Sequence, residues 1–335
     1  AAVLRAKQLA SRNVDGSRYI FALLSLVAAA ERDGLIAPGG TLIEATAGNT
    51  GLGLALVAAQ KGYKLLLVVP DKMAQEKIFH LKALGADVRI TRSDVGKGHP
   101  EYYQDIAERL AAEMPNSFYV NQFGNPANPH AHETTTGPEI WEQMAGDVDA
   151  VVCGVGSGGT ITGLTRYFRQ VSPDTRMVLA DPEGSVLVDY VRTGAYGEAG
   201  SWLIEGIGED FIPPICDLSA VHAAYSISDA ESLQTARALL RKCGVLGGSS
   251  TGTLLAGALR YCREQTRPQR VVTFVCDSGN KYLSKMYNDF WMFDQGLLGR
   301  EQTGNLLDLI ARRYADGSAV TVREDDTLIQ AYRRM

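Results

Sequence analysis

After Lys64 the chain runs Leu65-Leu66-Leu67-Val68-Val69 without a polar residue. An unbroken apolar run of this length marks a strand covered on both faces, the situation of a parallel sheet with helices on either side. Strand patterns recur at 41–45, 64–70, 87–91, 117–120, 149–153, 176–180 and 270–276. Helical patterns fall between or after them at 53–62, 75–85, 102–114, 132–144, 158–170, 229–242 and 251–264. Strand and helix alternate with short joints, which predicts βαβ units and an α/β fold. The pattern loosens between Asp181 and Asp217 and stops near Gly296 to Arg300. Leu306 to Tyr314 reads as an amphipathic linker helix, and the strand and helix start at 316–335 read as the first piece of another module. The expected division is therefore 1–300, 301–315 and 316–335.

Composition removes several classes of function. The net charge is −5 and no basic cluster stands out, so nucleic acid is not expected as a partner. The longest apolar stretches, such as Phe21 to Ala30, are too short or interrupted to span a bilayer. Ala1-Ala2-Val3-Leu4-Arg5 lacks the basic start and apolar core of a signal peptide. Five cysteines, widely spaced and without C-x-x-C, predict reduced thiols, a cytoplasmic protein and no metal site. His130 and His132 have no third ligand at a suitable spacing and read as loop residues.

Four short motifs carry the chemistry. Gly154-Val155-Gly156-Ser157-Gly158-Gly159-Thr160 joins a strand to a helix, where glycines admit an anion and helical N–H groups can hold it. A plain tight turn is the competing reading. Neither the Walker pattern nor a good dinucleotide fingerprint is present. Thr46-Ala47-Gly48-Asn49-Thr50-Gly51 lies at another strand–helix junction and suits a carboxylate, or else an ordinary helix cap. Glu205-Gly206-Ile207-Gly208 forms a third motif. Ser278, in Cys276-Asp277-Ser278-Gly279, follows a strand; its hydroxyl would leave a pyridine nitrogen unprotonated, and Asp277 beside it complicates that choice.

In their order and spacing these motifs resemble those of the fold-type II pyridoxal-phosphate (PLP) family of cystathionine β-synthase and cysteine synthase, over roughly Leu35 to Gly296. The resemblance implies a two-lobed α/β enzyme with parallel-sheet lobes. It implies PLP phosphate on Gly156, Ser157, Gly158, Gly159 and Thr160, the ring hydroxyl at Asn49 and the ring nitrogen at Ser278. The amino-acid carboxylate would lie on Thr46, Ala47, Gly48 and Thr50 with Gln122, and Glu205 and Gly208 would stand over the site as catalytic positions. The stretches 181–185 and 205–213 are similar to the cystathionine β-synthase side of the family, and 316–335 is similar to the opening of a Bateman (CBS-pair) module. The implied reaction is a lyase-type β-replacement of transsulfuration that joins L-serine to L-homocysteine, with cysteine synthase-like use of sulfide as the alternative. A homodimer or larger homo-oligomer, and a nucleotide or S-adenosylmethionine effector at the tail, are implied as well.

The resemblance breaks at one segment. Where the family carries its Schiff-base lysine, Gly16-Ser17-Arg18-Tyr19-Ile20-Phe21 puts Tyr19, and a phenol cannot form an imine. Lys7, twelve residues earlier, is the lysine upstream of this match. Three readings fit: a non-catalytic relative, PLP held without a covalent link, or an opening segment that does not represent the native one. The intact loops elsewhere favour a working enzyme.

Overall fold

The computed structural model describes residues 17–46, 48–71, 73, 75–92, 94–95, 98–299 and 327. The expected linker helix at 306–314 and the module opening at 316–335 lie outside the described residues, as do Lys7, Ala47 and the side chain of Tyr19. The chain divides into two compact units, residues 1–282 and 283–335.

The first unit holds two four-stranded sheets, both parallel. One has the order β3-β2-β1-β4, from Asp87–Thr91, Lys64–Pro70, Thr41–Ala45 and Ser117–Tyr119. The other has the order β7-β6-β5-β8, from Val221–Ile227, Arg176–Pro182, Ala150–Cys153 and Val271–Val272. The apolar run that predicted a doubly covered strand is β2, whose Leu67, Val68 and Val69 are fully buried. It pairs with β1 on one side and β3 on the other. Burying each such side chain contributes about 1.5–3 kcal/mol, so the centre of each sheet is its most stable part.

Several elements differ from the sequence expectation. Ser17–Arg32 forms a helix in which Leu23, Leu26, Val27 and Ala30 are buried, the i, i+3, i+4, i+7 spacing of one helical face. Strand β7 was not expected, because His222, Tyr225 and Ser226 dilute its apolar pattern; it is an edge strand with several half-exposed residues. Strand β8 is only two residues long, and the rest of the predicted 270–276 strand is held by side chains instead. Thr273 Oγ1 donates to Val152 O, and Cys276 N donates to Thr251 Oγ1. The helix expected at 132–144 opens with a π turn, His132–Thr136, inside which His132 Nδ1 and Thr136 Oγ1 lie 3.0 Å apart. All five cysteines are free, and no metal-binding cluster occurs among the described residues. No described helix is long and apolar enough to cross a membrane.

Because the strands of each sheet are parallel, their carboxyl ends share one edge, the position at which α/β folds bind ligands. Glu44 lies one residue before the end of β1 and is fully buried. Its Oε1 accepts from Ala45 N at 2.8 Å and its Oε2 from Gln122 N at 3.1 Å. Burial pushes this carboxyl up from 4.5 to about 8. Between those values the folded chain keeps a proton that the unfolded chain has lost, so this group makes stability fall as pH rises through the window. Glu44→Gln should flatten the fall in urea midpoint between about pH 5 and 8. Parallel pH profiles for the two proteins would show that Glu44 is not the group responsible.

The described part of the second unit contains one helix, Asp289–Asp294, capped by Asn288, whose Oδ1 accepts from Phe290 N at 2.9 Å.

Candidate active site

The helix Gly159–Val171 begins directly after β5, and no side chain caps its start. Gly158 has φ +84°, a region that side-chain-bearing residues rarely adopt, and a Cβ there would run into Cys216. A Cβ on Gly159 would run into Asn128, and one on Gly156 would lie 2.7 Å from Gly206 O. The side chains of Cys216 and Asn128 and the carbonyl of Gly206 therefore crowd this turn, so only glycine fits at 156, 158 and 159. That is the form of an anion cradle, and it fits a phosphate. Thr160 Oγ1 lies 3.3 Å from His132 Nε2, which ties its hydroxyl to the π turn.

The residues of the loop after β1 converge with Gln122 at the other sheet. Thr46 is buried at the end of β1, and its Oγ1 accepts from Gly48 N at 3.0 Å. Thr50, in the first turn of the helix Asn49–Lys61, donates to Gln122 Oε1 at 2.7 Å. One link between the two lobes is Asn128, which sequence reasoning missed. Its Nδ2 donates to Gln122 O at 2.9 Å and to Ser157 Oγ at 3.0 Å. The amide-rich run Asn121-Gln122-Phe123-Gly124-Asn125-Pro126-Ala127-Asn128 was the available signal.

The Glu205–Gly208 loop packs on the glycine-rich turn. Gly208 N donates to Val155 O at 2.8 Å, and Glu205 N donates to Ser249 Oγ at 3.1 Å. Gly208 has φ +89°, and a Cβ there would press on Pro182 and Trp202, so this glycine shapes the loop. The structure thus brings all four motifs to one place.

A buried polar cluster that the sequence did not reveal completes the site. Lys77 is 1% exposed; its Nζ donates to Glu205 Oε2 at 2.6 Å and to Tyr282 OH at 3.2 Å. Tyr282 OH donates in turn to Asp277 Oδ2 at 2.9 Å. Asn49 Nδ2 donates to the same oxygen at 2.9 Å, while Asn49 Oδ1 accepts from Lys281 Nζ at 2.6 Å. Desolvation pulls the Lys281 amine below its ordinary value, with nearby Asp277 opposing and Lys77 assisting. Burial, reinforced by Asp277 and Glu205, pushes the Tyr282 phenol well above its ordinary value, so it stays a donor. Asp277 Oδ2 is thus engaged from several sides. Ser278 is half-buried beside it, pairs through its backbone with Gly247, and accepts from Asn280 N at 3.3 Å.

A family model described as pyridoxal-phosphate dependent enzyme matches residues 8–277. The chain is 41% identical over 269 residues to cystathionine beta-synthase of Apis mellifera, covering 80% of this chain and 53% of that protein. It is 41% identical over 276 residues to cystathionine beta-synthase of Dictyostelium discoideum, covering 82% and 55%. It is also 40% identical over 258 residues to cysteine synthase A of Salmonella typhi, covering 76% and 79%. The chain therefore spans about half the length of these cystathionine beta-synthase relatives and most of the cysteine synthase. The family model spans most of the chain and these relatives cover about three-quarters or more of it, so the chain belongs to the pyridoxal-phosphate dependent enzymes.

Proposed function

We propose that this chain carries out PLP-dependent β-replacement, joining L-serine to L-homocysteine to give L-cystathionine. The observation that carries the choice of substrates is the Glu205–Lys77 ion pair on the loop beside the glycine-rich turn. A second substrate that is itself a zwitterion offers both an ammonium and a carboxylate to such a pair, whereas sulfide, in its anionic form, offers no cation to Glu205. The relatives named cystathionine beta-synthase support the same reading. A sulfide-using, cysteine synthase-like reaction is the second reading, supported by the similar identity to cysteine synthase A.

PLP, when bound, supplies an electron sink for charge developing at the amino-acid α-carbon. The residues that would hold it are the turn Gly156 to Thr160 for the phosphate, Asn49 for the ring hydroxyl and Ser278 for the ring nitrogen. Thr46, Gly48, Thr50 and Gln122, with Ala47, would bind the substrate carboxylate through N–H and hydroxyl groups that need no counter-charge. Asn128 ties Gln122 to Ser157, so carboxylate and phosphate subsites would keep a fixed spacing. Glu205 would orient the ammonium of the incoming amino-thiol. Its Oε2 already engages Lys77, which fixes the carboxylate in place and suits it to orientation. The four residues Gly206-Ile207-Gly208-Glu209 would allow this loop to lie close over the turn. The same reading carries a cytoplasmic homo-oligomer and an effector at 316–335, supported by sequence resemblance.

Gln122→Ala tests the carboxylate subsite. It should raise the apparent serine requirement about tenfold, since one good hydrogen bond to a charged group is about 1.5–3 kcal/mol, while PLP content stays near normal. Loss of PLP with an unchanged serine requirement would remove Gln122 from that role. Mass spectrometry of the products from serine with homocysteine, and from serine with sulfide, decides between the two readings.

A further inference from the structure

Asp277 adjoins Ser278 in one of the four motifs, and none of the roles above uses its carboxylate. We propose that Asp277 is a positioning residue. It locks the amide of Asn49 so that an N–H, and not the carbonyl, is what this side chain offers to the ring oxygen of PLP. The inference rests on the reading of Asn49 as the ring-hydroxyl contact.

The two ends of a primary amide are nearly equal in shape, one a donor and the other an acceptor, so its neighbours decide which way it points. Both ends of Asn49 have a neighbour. Its Nδ2 donates to Asp277 Oδ2 at 2.9 Å, and its Oδ1 accepts from Lys281 Nζ at 2.6 Å. Half a turn of the amide would set Oδ1 against Asp277 Oδ2, two acceptors face to face. It would also set Nδ2 against the Lys281 ammonium, two donors face to face. Two hydrogen bonds would become two repulsions. The carboxylate is not free to turn and relieve them. Its Oδ2 also accepts from Tyr282 OH at 2.9 Å, with Lys281 Nζ 3.7 Å away. Its Oδ1 packs against Gly248, where a Cβ would run into it. Asp277 is 4% exposed, so little water competes for these bonds.

Asn49 Nδ2 carries two hydrogens, and Asp277 takes one of them. The second is the donor left for a ring oxygen, because Lys281 already occupies the carbonyl end. A donated hydrogen bond favours the ionised oxygen over the protonated one. Lys281 at Oδ1 draws electron density away from Nδ2 and strengthens that donor.

The test uses the full chain loaded with PLP and follows the absorbance of the bound cofactor against pH. The ionised ring oxygen absorbs at longer wavelength than the protonated one. In Asp277→Asn the new amide can turn either end to Asn49, and the lock is lost. The long-wavelength band should then give way, as pH falls, at a midpoint about one pH unit higher, a tenfold change in ionisation. The sign separates positioning from charge, since removal of an anion near the ring would by itself move the midpoint to lower pH. Asn49→Ala should raise the midpoint in the same way, and Asp277→Asn added to it should raise it no further. If Asp277→Asn does not fold, Lys281→Met replaces it and should raise the midpoint in the Asn49 protein but not in Asn49→Ala. A midpoint unchanged or lowered by Asp277→Asn, or a Lys281→Met effect equal in both backgrounds, overturns the proposal and leaves the reading of Asn49 standing. An unchanged midpoint in Asn49→Ala with PLP retained overturns that reading and the proposal with it. No PLP retained by the unmodified chain overturns both.

Discussion

Gly158→Val is expected to abolish PLP retention. Two costs coincide at this position. The backbone stands at φ +84°, where a β-branched residue is strained, and the new Cβ would occupy the space of Cys216. Relief requires the turn to move away from 216, and the N–H groups at the start of the helix Gly159–Val171 move with it. A phosphate held by several such N–H groups loses them together, so retention should fall more than a hundredfold, on the order of 3 kcal/mol. Strain alone must be separated from loss of the cradle. Gly194, at φ +74° with nothing within 4 Å of its position, supplies the comparison. Gly194→Ala should lower the thermal midpoint through left-handed strain of about 1 kcal/mol and leave PLP retention unchanged. Equal retention in the Gly158 variant and the wild-type chain, by dialysis and absorbance, would remove the phosphate from this turn.

What the sequence disclosed and what it hid divide along physical lines. Strand β2 was legible because a strand covered on both faces has no polar position, and the glycine-rich turn because only glycine tolerates the crowding at 156 and 158. The Glu205 loop was legible as a motif, but its electrostatics were not. Lys77 follows Gln75 and Glu76 on a helix, a context that reads as a solvated face, and the partners that bury it come from positions 205 and 282. Burial created by distant chain segments leaves no local trace. Lys281 lies two residues beyond Gly279, but its contact with Asn49 spans 232 positions and leaves no local trace either. Strand β7 was missed for the opposite reason, since an edge strand keeps polar residues that blur its period.

The Lys77–Glu205 pair makes the second large prediction, and it changes what a single substitution at Glu205 can mean. Glu205→Gln removes the anion that would meet an amino-thiol, yet it also leaves Lys77, only 1% exposed, without its charge partner. Removing one member of a buried pair costs about 3–5 kcal/mol; Glu205 keeps 15% of its side-chain exposure, so about 3 kcal/mol is expected. Lys77→Met should cost a similar amount for the converse reason. The double variant, Lys77→Met with Glu205→Gln, leaves no unpaired charge and should lose only about 1 kcal/mol, giving a coupling energy of about 5 kcal/mol in a double-mutant cycle. Additive losses would mean that the two groups do not act as a pair. The double variant then allows a clean reading of substrate choice. If Glu205 acts on the second substrate, this restored protein should still form cystathionine from serine and homocysteine at least about tenfold more slowly, about 1.4 kcal/mol in the barrier. Cysteine formation from sulfide, which carries no ammonium to orient, should fall far less. Both reactions begin on the same amino acid, so an equal fall in the two would move Glu205 to a step before the thiol arrives. A double variant that recovers both stability and cystathionine formation would leave the pair as a structural clasp between the helix Gln75–Ala83 and the Glu205 loop, and would return the choice of thiol to the residues around Gln122 and Asn128.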